Sequence, residues 1–215
     1  LFIAGDDTIV DRLLADYASI WPSLDTRNPD LSRCDVYQGW QDAEVVTLFK
    51  GKGSPSDPGN YRGIFLLEVA GKILASILCK RLGATVEGFL HDTQCGFRPR
   101  RGTNHQILNL RRLQSEARRA SLPVAALFVD FEKAFDSPPR AALFECLEYI
   151  GTPGDVMAMI RAIHEEPKAC VQGSDAWFQV ARGIRQGCVL GPMLFNVLLD
   201  FCFRIADVNS GGVEL

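Results

Sequence analysis

No run of apolar residues in this 215-residue chain approaches the roughly 18 that a membrane-spanning helix requires. The chain does not open on a basic segment followed by an apolar signal region. Both absences argue against a secreted or membrane-embedded protein. Histidine is scarce, and His91, His105 and His164 form no metal-ligand spacing with the seven cysteines, none of which belongs to a Cys-x-x-Cys pair. A zinc module is therefore a poor fit, and the scattered thiols read as buried residues in a reducing compartment. There is no internal repeat and no low-complexity tract. Gly51-Lys52-Gly53-Ser54 lacks the four-residue spacer and second glycine of a phosphate-binding P-loop. The chain also lacks a methionine before Leu1, so it is read as a piece of a longer protein.

What is present is an ordinary globular composition, 47% hydrophobic and 23% charged, with length for one domain or one and a half. The net charge of −3 argues against a uniformly basic nucleic-acid binder, yet the charge is unevenly spread. Residues 1–49 carry a net of −6, residues 50–119 a net of +8 and residues 120–215 a net of −5. A basic middle between acidic flanks suits a phosphate-facing surface beside a carboxylate-lined site, although solvated helix faces give the same counts.

Apolar periodicity predicts a helix over 7–20, capped by Asp7 or Thr8 and ended before Pro22, then a polar loop over 22–42. Glu44–Phe49 reads as a short strand, 51–60 as a loop, and Ile64–Leu82 as an apolar helix stopped by Gly83. Thr103 is expected to cap a helix to about Ala120, with Arg111, Arg112, Arg118 and Arg119 on its basic face. Val124–Phe131 is a nearly continuous apolar run and predicts a buried strand. Helices over Arg140–Ile150 and Asp155–Glu165 follow, then a hairpin of 169–172 with 177–180, and a helix that Pro192 opens and that runs to about Ala206. Mixed strands and helices leave α+β and α/β both open.

Asp130 is the first informative position. A carboxylate at the end of a buried strand is costly without compensation, and a divalent cation is one natural partner. A turn-capping aspartate is the other reading. Its surroundings decide between them. Phe128-Val129-Asp130-Phe131-Glu132-Lys133-Ala134-Phe135-Asp136 closely resembles motif A of reverse transcriptases, especially those of non-LTR (LINE-type) retrotransposons. The block Gly183 to Asn196 (GIRQGCVLGPMLFN) resembles that family's motif B, and Asn60-Tyr61-Arg62-Gly63-Ile64 its fingers motif. Gln94 to Arg98 with Gly102-Thr103 is similar to the block between fingers and palm, and Ala4-Gly5-Asp6-Asp7 to a short element before the fingers. Gly63, Phe65 and Gly191 depart from the residues usual in these blocks.

The resemblance implies an α+β right-handed polymerase fragment, with helix-rich fingers and a ferredoxin-like palm sheet left incomplete. Residues 1–121 would be a fingers-like region with the basic middle, and 122–215 a partial palm. It implies two Mg²⁺ ions in the complete enzyme, with Mn²⁺ as a substitute, held by the catalytic carboxylate of Asp130 and the backbone carbonyl of Phe131. Phe135 would be the ring beneath the sugar that excludes a 2′-hydroxyl, while Gln186 and Gly187 lie over the incoming nucleotide. Arg62 would reach the triphosphate, with Lys50 or Lys52 beside it, and Arg98, Arg100 and Arg101 would follow the template backbone. The implied partners are template RNA, a DNA primer end and dNTPs, with no membrane, and no protein partner can be inferred. The implied setting is intracellular, in cytoplasm and nucleus.

The family's motif C, an aromatic, any residue and then two aspartates, has no counterpart up to Leu215. The expectation is that this chain alone does not polymerise and that the 124–131 strand is left as an uncovered sheet edge. The alternatives are a decayed or repurposed RNA- or DNA-binding relic, an RNA-directed RNA polymerase, and a permuted palm using Asp6-Asp7.

Overall fold

A computed structural model of the chain describes residues 38–126, 128–185 and 187–206. The expected helix over 7–20, most of the 22–42 loop and Asp6-Asp7 lie outside the described residues. After a single 3-10 turn at Gln38–Trp40, strand β1 (Ala43–Phe49) and strand β2 (Tyr61–Leu67) form an antiparallel hairpin, with Ala43 opposite Leu67 and Phe49 opposite Tyr61. Alternation sets its two faces. Ala43, Val45 and Leu67 are buried, whereas Arg62, Ile64 and Leu66 on the other face are exposed.

Helices α1 (Val69–Phe89), α2 (Thr103–Arg119), α3 (Arg140–Tyr149) and α4 (Gly154–His164) follow, then strands β3 (Lys168–Val171) and β4 (Trp177–Gln179), and helix α5 (Gly191–Ile205). The sheet runs β2-β1-β3-β4, with β3 parallel to β1 and β4 antiparallel to β3. It therefore draws two strands from before residue 121 and two from after it. The core is a contact of α1, α3, α4 and α5, in which Leu78, Leu82, Leu143, Leu147, Ile160 and Leu194 are fully buried. The chain is α+β, as a fingers and palm fragment requires.

The hairpin of β3 and β4, helices α2 to α5 and strand β1 appear where apolar periodicity puts them. Gly151 ends α3 in the left-handed region at φ +79°, with its N–H donating to the Glu148 carbonyl. Two expectations are corrected. Residues 61–67 form a strand rather than the start of a helix, because β1 supplies a full ladder of partners to an alternating segment. Helix α1 also runs through Gly83 to Phe89. A glycine in a helix interior costs only about 1 kcal/mol, and continuing the helix buries Val86 below Leu82.

The third correction concerns 124–131. Its described residues form no strand, and Phe128 is 80% and Val129 64% exposed. A buried strand needs neighbours on its edges and cover on its faces. Among the described residues the four strands pair with one another and none pairs with this segment.

Candidate functional site

The two segments that resemble motifs A and B are brought together. After Asp130 and Phe131, both exposed, the chain turns sharply at Lys133, whose φ is +51°. The Lys133 carbonyl accepts the N–H of Asp136 (2.9 Å), the N–H of Ser137 (3.0 Å) and the Ser137 hydroxyl (2.9 Å). Residues 183 and 184 are laid against this turn. The Gly183 N–H donates to the Pro138 carbonyl (2.9 Å) and the Ile184 N–H to the Phe135 carbonyl (2.6 Å). Gly183 is required here: its φ is +91°, and a Cβ would lie 2.8 Å from the Asp136 carbonyl oxygen. The Arg140 guanidinium reaches the Gly183 and Val180 carbonyls from α3.

The Phe135 ring is half-buried. It packs on Phe195 of α5 with centroids 5.1 Å apart, and Phe97 meets it edge-on at 6.4 Å. Phe131 also meets Phe195 edge-on, at 6.4 Å. Phe131 and Phe135, one and five residues past Asp130, are thus held by the helix that opens at Gly191.

Gln186 lies outside the described residues, but both its neighbours are anchored. Arg185 is buried, and its guanidinium donates to the carbonyls of Trp40 (3.4 Å), Gln41 and Ile163. Gly187, at φ +105°, abuts the Phe65 carbonyl of β2. The same strand carries Arg62, exposed and opposite Leu48. Lys50, just past β1, donates from its backbone to the Asn60 carbonyl and from Nζ to the Gly59 carbonyl, each at 2.8 Å. Lys52 is exposed in the same loop. The hairpin therefore carries Arg62 on the strand that Gly187 touches, with Lys50 and Lys52 in the loop at its end.

The reading of Arg98 as a phosphate contact gives way. Its guanidinium is buried and donates to Glu87 (2.8 Å from Nη2), to the His91 carbonyl (2.8 Å) and to the Gln94 carbonyl (3.1 Å). A cation so enclosed holds its own loop together and is buried away from a phosphate in solvent. Arg101 is partly engaged by Asp92, at 3.1 Å, while Arg100 is exposed at φ +58°.

Sequence reasoning missed a second polar clamp. Gln94 Nε2 donates to Asn196 Oδ1 (2.9 Å), and Asn196 Nδ2 donates to the Gly96 carbonyl (2.8 Å), tying the 91–102 loop to α5. The Asp200 carboxylate, one turn further on, accepts the His91 N–H (3.2 Å). The signal was legible: Asn196 and Asp200 stand four apart, and so on one face, in a helix whose one other charged side chain is Arg204 in its last turn.

Asp130 and the Phe131 carbonyl are hard oxygen donors of the kind that suits a divalent cation. Among the described residues, no group of three His, Cys, Asp or Glu side chains is arranged to hold a metal ion. Two donors from one segment fit part of such a site and leave the remaining ligands to other groups. Among the described residues no helix is long and apolar enough to cross a membrane.

Residues 50–210 match the family model described as "Reverse transcriptase (RNA-dependent DNA polymerase)". The chain is 28% identical over 199 residues to the Pol polyprotein of the type-1 retrotransposable element R2 of Nasonia vitripennis, covering 89% of this chain and 19% of that protein. It is 31% identical over 165 residues to a putative 115 kDa protein of element R1DM of Drosophila melanogaster, covering 75% of this chain and 16% of that one. Against the RNA-directed DNA polymerase from the D. melanogaster mobile element jockey the identity is 27% over 165 residues, covering 74% and 18%. The chain thus spans about a fifth of the length of these relatives. The motif A turn held against the motif B segment, and the match across three quarters of the sequence, identify the chain as a member of the reverse transcriptase family.

Proposed function

We propose that this chain supplies the fingers-like region (1–121) and part of the palm (122–215) of an RNA-directed DNA polymerase, with the β-sheet spanning the junction between them. The enzyme adds dNTPs to a DNA primer end on an RNA template. The observation that carries this reading is the 2.6 Å hydrogen bond from the Ile184 N–H to the Phe135 carbonyl, which draws the two nucleotide-facing segments into one surface.

Each residue has a task in this reading. Asp130 and the Phe131 carbonyl hold divalent metal, Mg²⁺ in the working enzyme. Metal held there would supply the charge that activates the primer 3′-hydroxyl and neutralises the leaving pyrophosphate. Phe135 lies beneath the sugar and leaves no room for a 2′-hydroxyl. Gln186 covers the nucleotide, and Gly187 lets the backbone approach it closely. Arg62, with Lys50 at the same hairpin end, binds the triphosphate, for which a guanidinium fork is well shaped. Arg100 and Arg101 follow the template phosphates. On this reading the protein meets RNA in the cytoplasm and acts on nuclear DNA.

The test is primer extension on an RNA template by the full-length protein, with dNTPs and Mg²⁺. Asp130→Asn should reduce incorporation by at least about 100-fold. Equal extension by both proteins rules the mechanism out.

A second reading is a binding module without catalysis. It is favoured by α2, whose Arg111, Arg112, Arg118 and Arg119 are exposed on a helix that buries none of its residues. That reading expects salt-sensitive RNA binding and no metal-dependent incorporation.

A further inference from the structure

Phe97 occupies a position that folding stability does not explain. Its backbone is in the left-handed region at φ +55°, where a bulky side chain is rarely found unless its surroundings enforce it. Its ring is 68% exposed, so burial of the side chain is no compensation. Two buried groups enforce the conformation from either side in sequence. Asn196, 2% exposed, holds the Gly96 carbonyl, and Arg98, 7% exposed, grips Glu87 and the carbonyls of His91 and Gln94. Two polar clamps thus converge on a three-residue stretch and present an aromatic ring to solvent.

Among the described residues that ring has one aromatic neighbour, Phe135, which it meets edge-on with centroids 6.4 Å apart and planes at 80°. Phe195 packs the same Phe135 ring at 5.1 Å and 34°. The Phe135 backbone is fixed by the Ile184 N–H. The remaining freedom of Phe135 is rotation of its side chain, and the two neighbouring rings constrain it. Phe195 belongs to the helix packed on the core, whereas Phe97 comes from the 91–102 loop, about 40 residues away along the chain.

We propose that Phe97 is a positioning residue for sugar selection, acting through Phe135, whose ring it holds in place together with Phe195. This rests on Phe135 being the residue beneath the sugar, as proposed above. A 2′-hydroxyl is rejected only if the ring beneath it cannot yield. An edge-on ring contributes through its geometry as well as its bulk, so an aliphatic side chain of similar size is a poorer brace.

The experiment measures kcat/KM for a dNTP and for the matching NTP on an RNA template, using the full-length protein. Phe97→Leu should lower the dNTP-to-NTP ratio about three- to tenfold, the loss of one favourable ring pair. Phe97→Tyr, which keeps the ring, should retain the original ratio. Phe97→Gly relieves the backbone strain while removing the ring, so it should fold at least as well and lose selectivity like Phe97→Leu.

If both ring-less variants keep the original ratio while Phe135→Ala lowers it, Phe97 has no such role. If dNTP and NTP incorporation fall together at an unchanged ratio, its role is confined to holding the loop, and the proposal is likewise overturned. A Phe135→Ala protein with unchanged selectivity overturns the assignment of Phe135, and this proposal with it. A parent polypeptide that extends no primer overturns the polymerase reading itself.

Discussion

Gly187 and the carbonyl of Phe65 are in such close contact that a Cβ on Gly187 would lie 2.4 Å from the Phe65 oxygen. The oxygen belongs to a strand of the hairpin and cannot retreat without breaking the β1–β2 ladder. The glycine's φ of +105° is strained for any L side chain as well. Gly187→Ala should therefore destabilise the chain by about 2–4 kcal/mol. Urea unfolding of the purified chain checks this, and a change within about 0.5 kcal/mol contradicts the contact.

Arg98 and Arg100 are two residues apart and should behave oppositely. Arg98→Ala removes donors from Glu87 and two backbone carbonyls and should lower stability by about 1–3 kcal/mol. Arg100 is exposed, so Arg100→Ala should leave stability within about 0.5 kcal/mol. Its expected effect is on RNA binding, where the slope of log affinity against log salt should fall by about 0.7–1. Paired unfolding and salt-titration measurements separate the two, and an exchange of phenotypes contradicts the assignment.

His164 should make stability depend on acid. It is buried, with Nδ1 2.8 Å from the Ile160 carbonyl and Nε2 without a partner among the described residues. Burial, with the nearby Arg185 and Arg140 cations, pushes its pKa down from 6.5 to about 4, against the Ile160 carbonyl. Below about pH 6.5 the unfolded chain takes up a proton that the folded chain refuses until about pH 4. Stability is therefore full above the unfolded value and falls as the pH falls between the two, by about 3 kcal/mol in all. His164→Leu should flatten that decline. Urea midpoints at pH 7.5 and pH 5 test it, and parallel declines in the two proteins refute it.

The exposed apolar segment should govern solubility. Val124, Phe128, Val129 and Phe131 lie in an unpaired stretch and are 43–80% exposed. Contiguous apolar surface of that kind promotes association. Phe128→Lys should reduce self-association of this chain without lowering its unfolding midpoint. Light scattering against concentration reads the first effect and urea unfolding the second. Unchanged scattering counts against the segment as the cause.

Periodicity together with the helix-starting residues Thr103 and Pro192 located α2 to α5, β1 and the β3–β4 hairpin; α3, α4 and α5 bury one face in the core, whereas α2 buries none of its residues. The family was legible for a different reason: its residues are set by reaction chemistry, which keeps their order along the chain whatever the fold does locally. Three things were decided only in three dimensions. Residues 61–67 became a strand because β1 was beside them, and 124–131 stayed unpaired because no described strand was beside it. Arg98, one of several arginines in a basic stretch, was taken into the interior because Glu87 and two carbonyls converge on it. Composition ranks such residues alike, since every arginine carries the same charge. Which one faces solvent depends on partners far away along the chain, and packing alone brings those partners near.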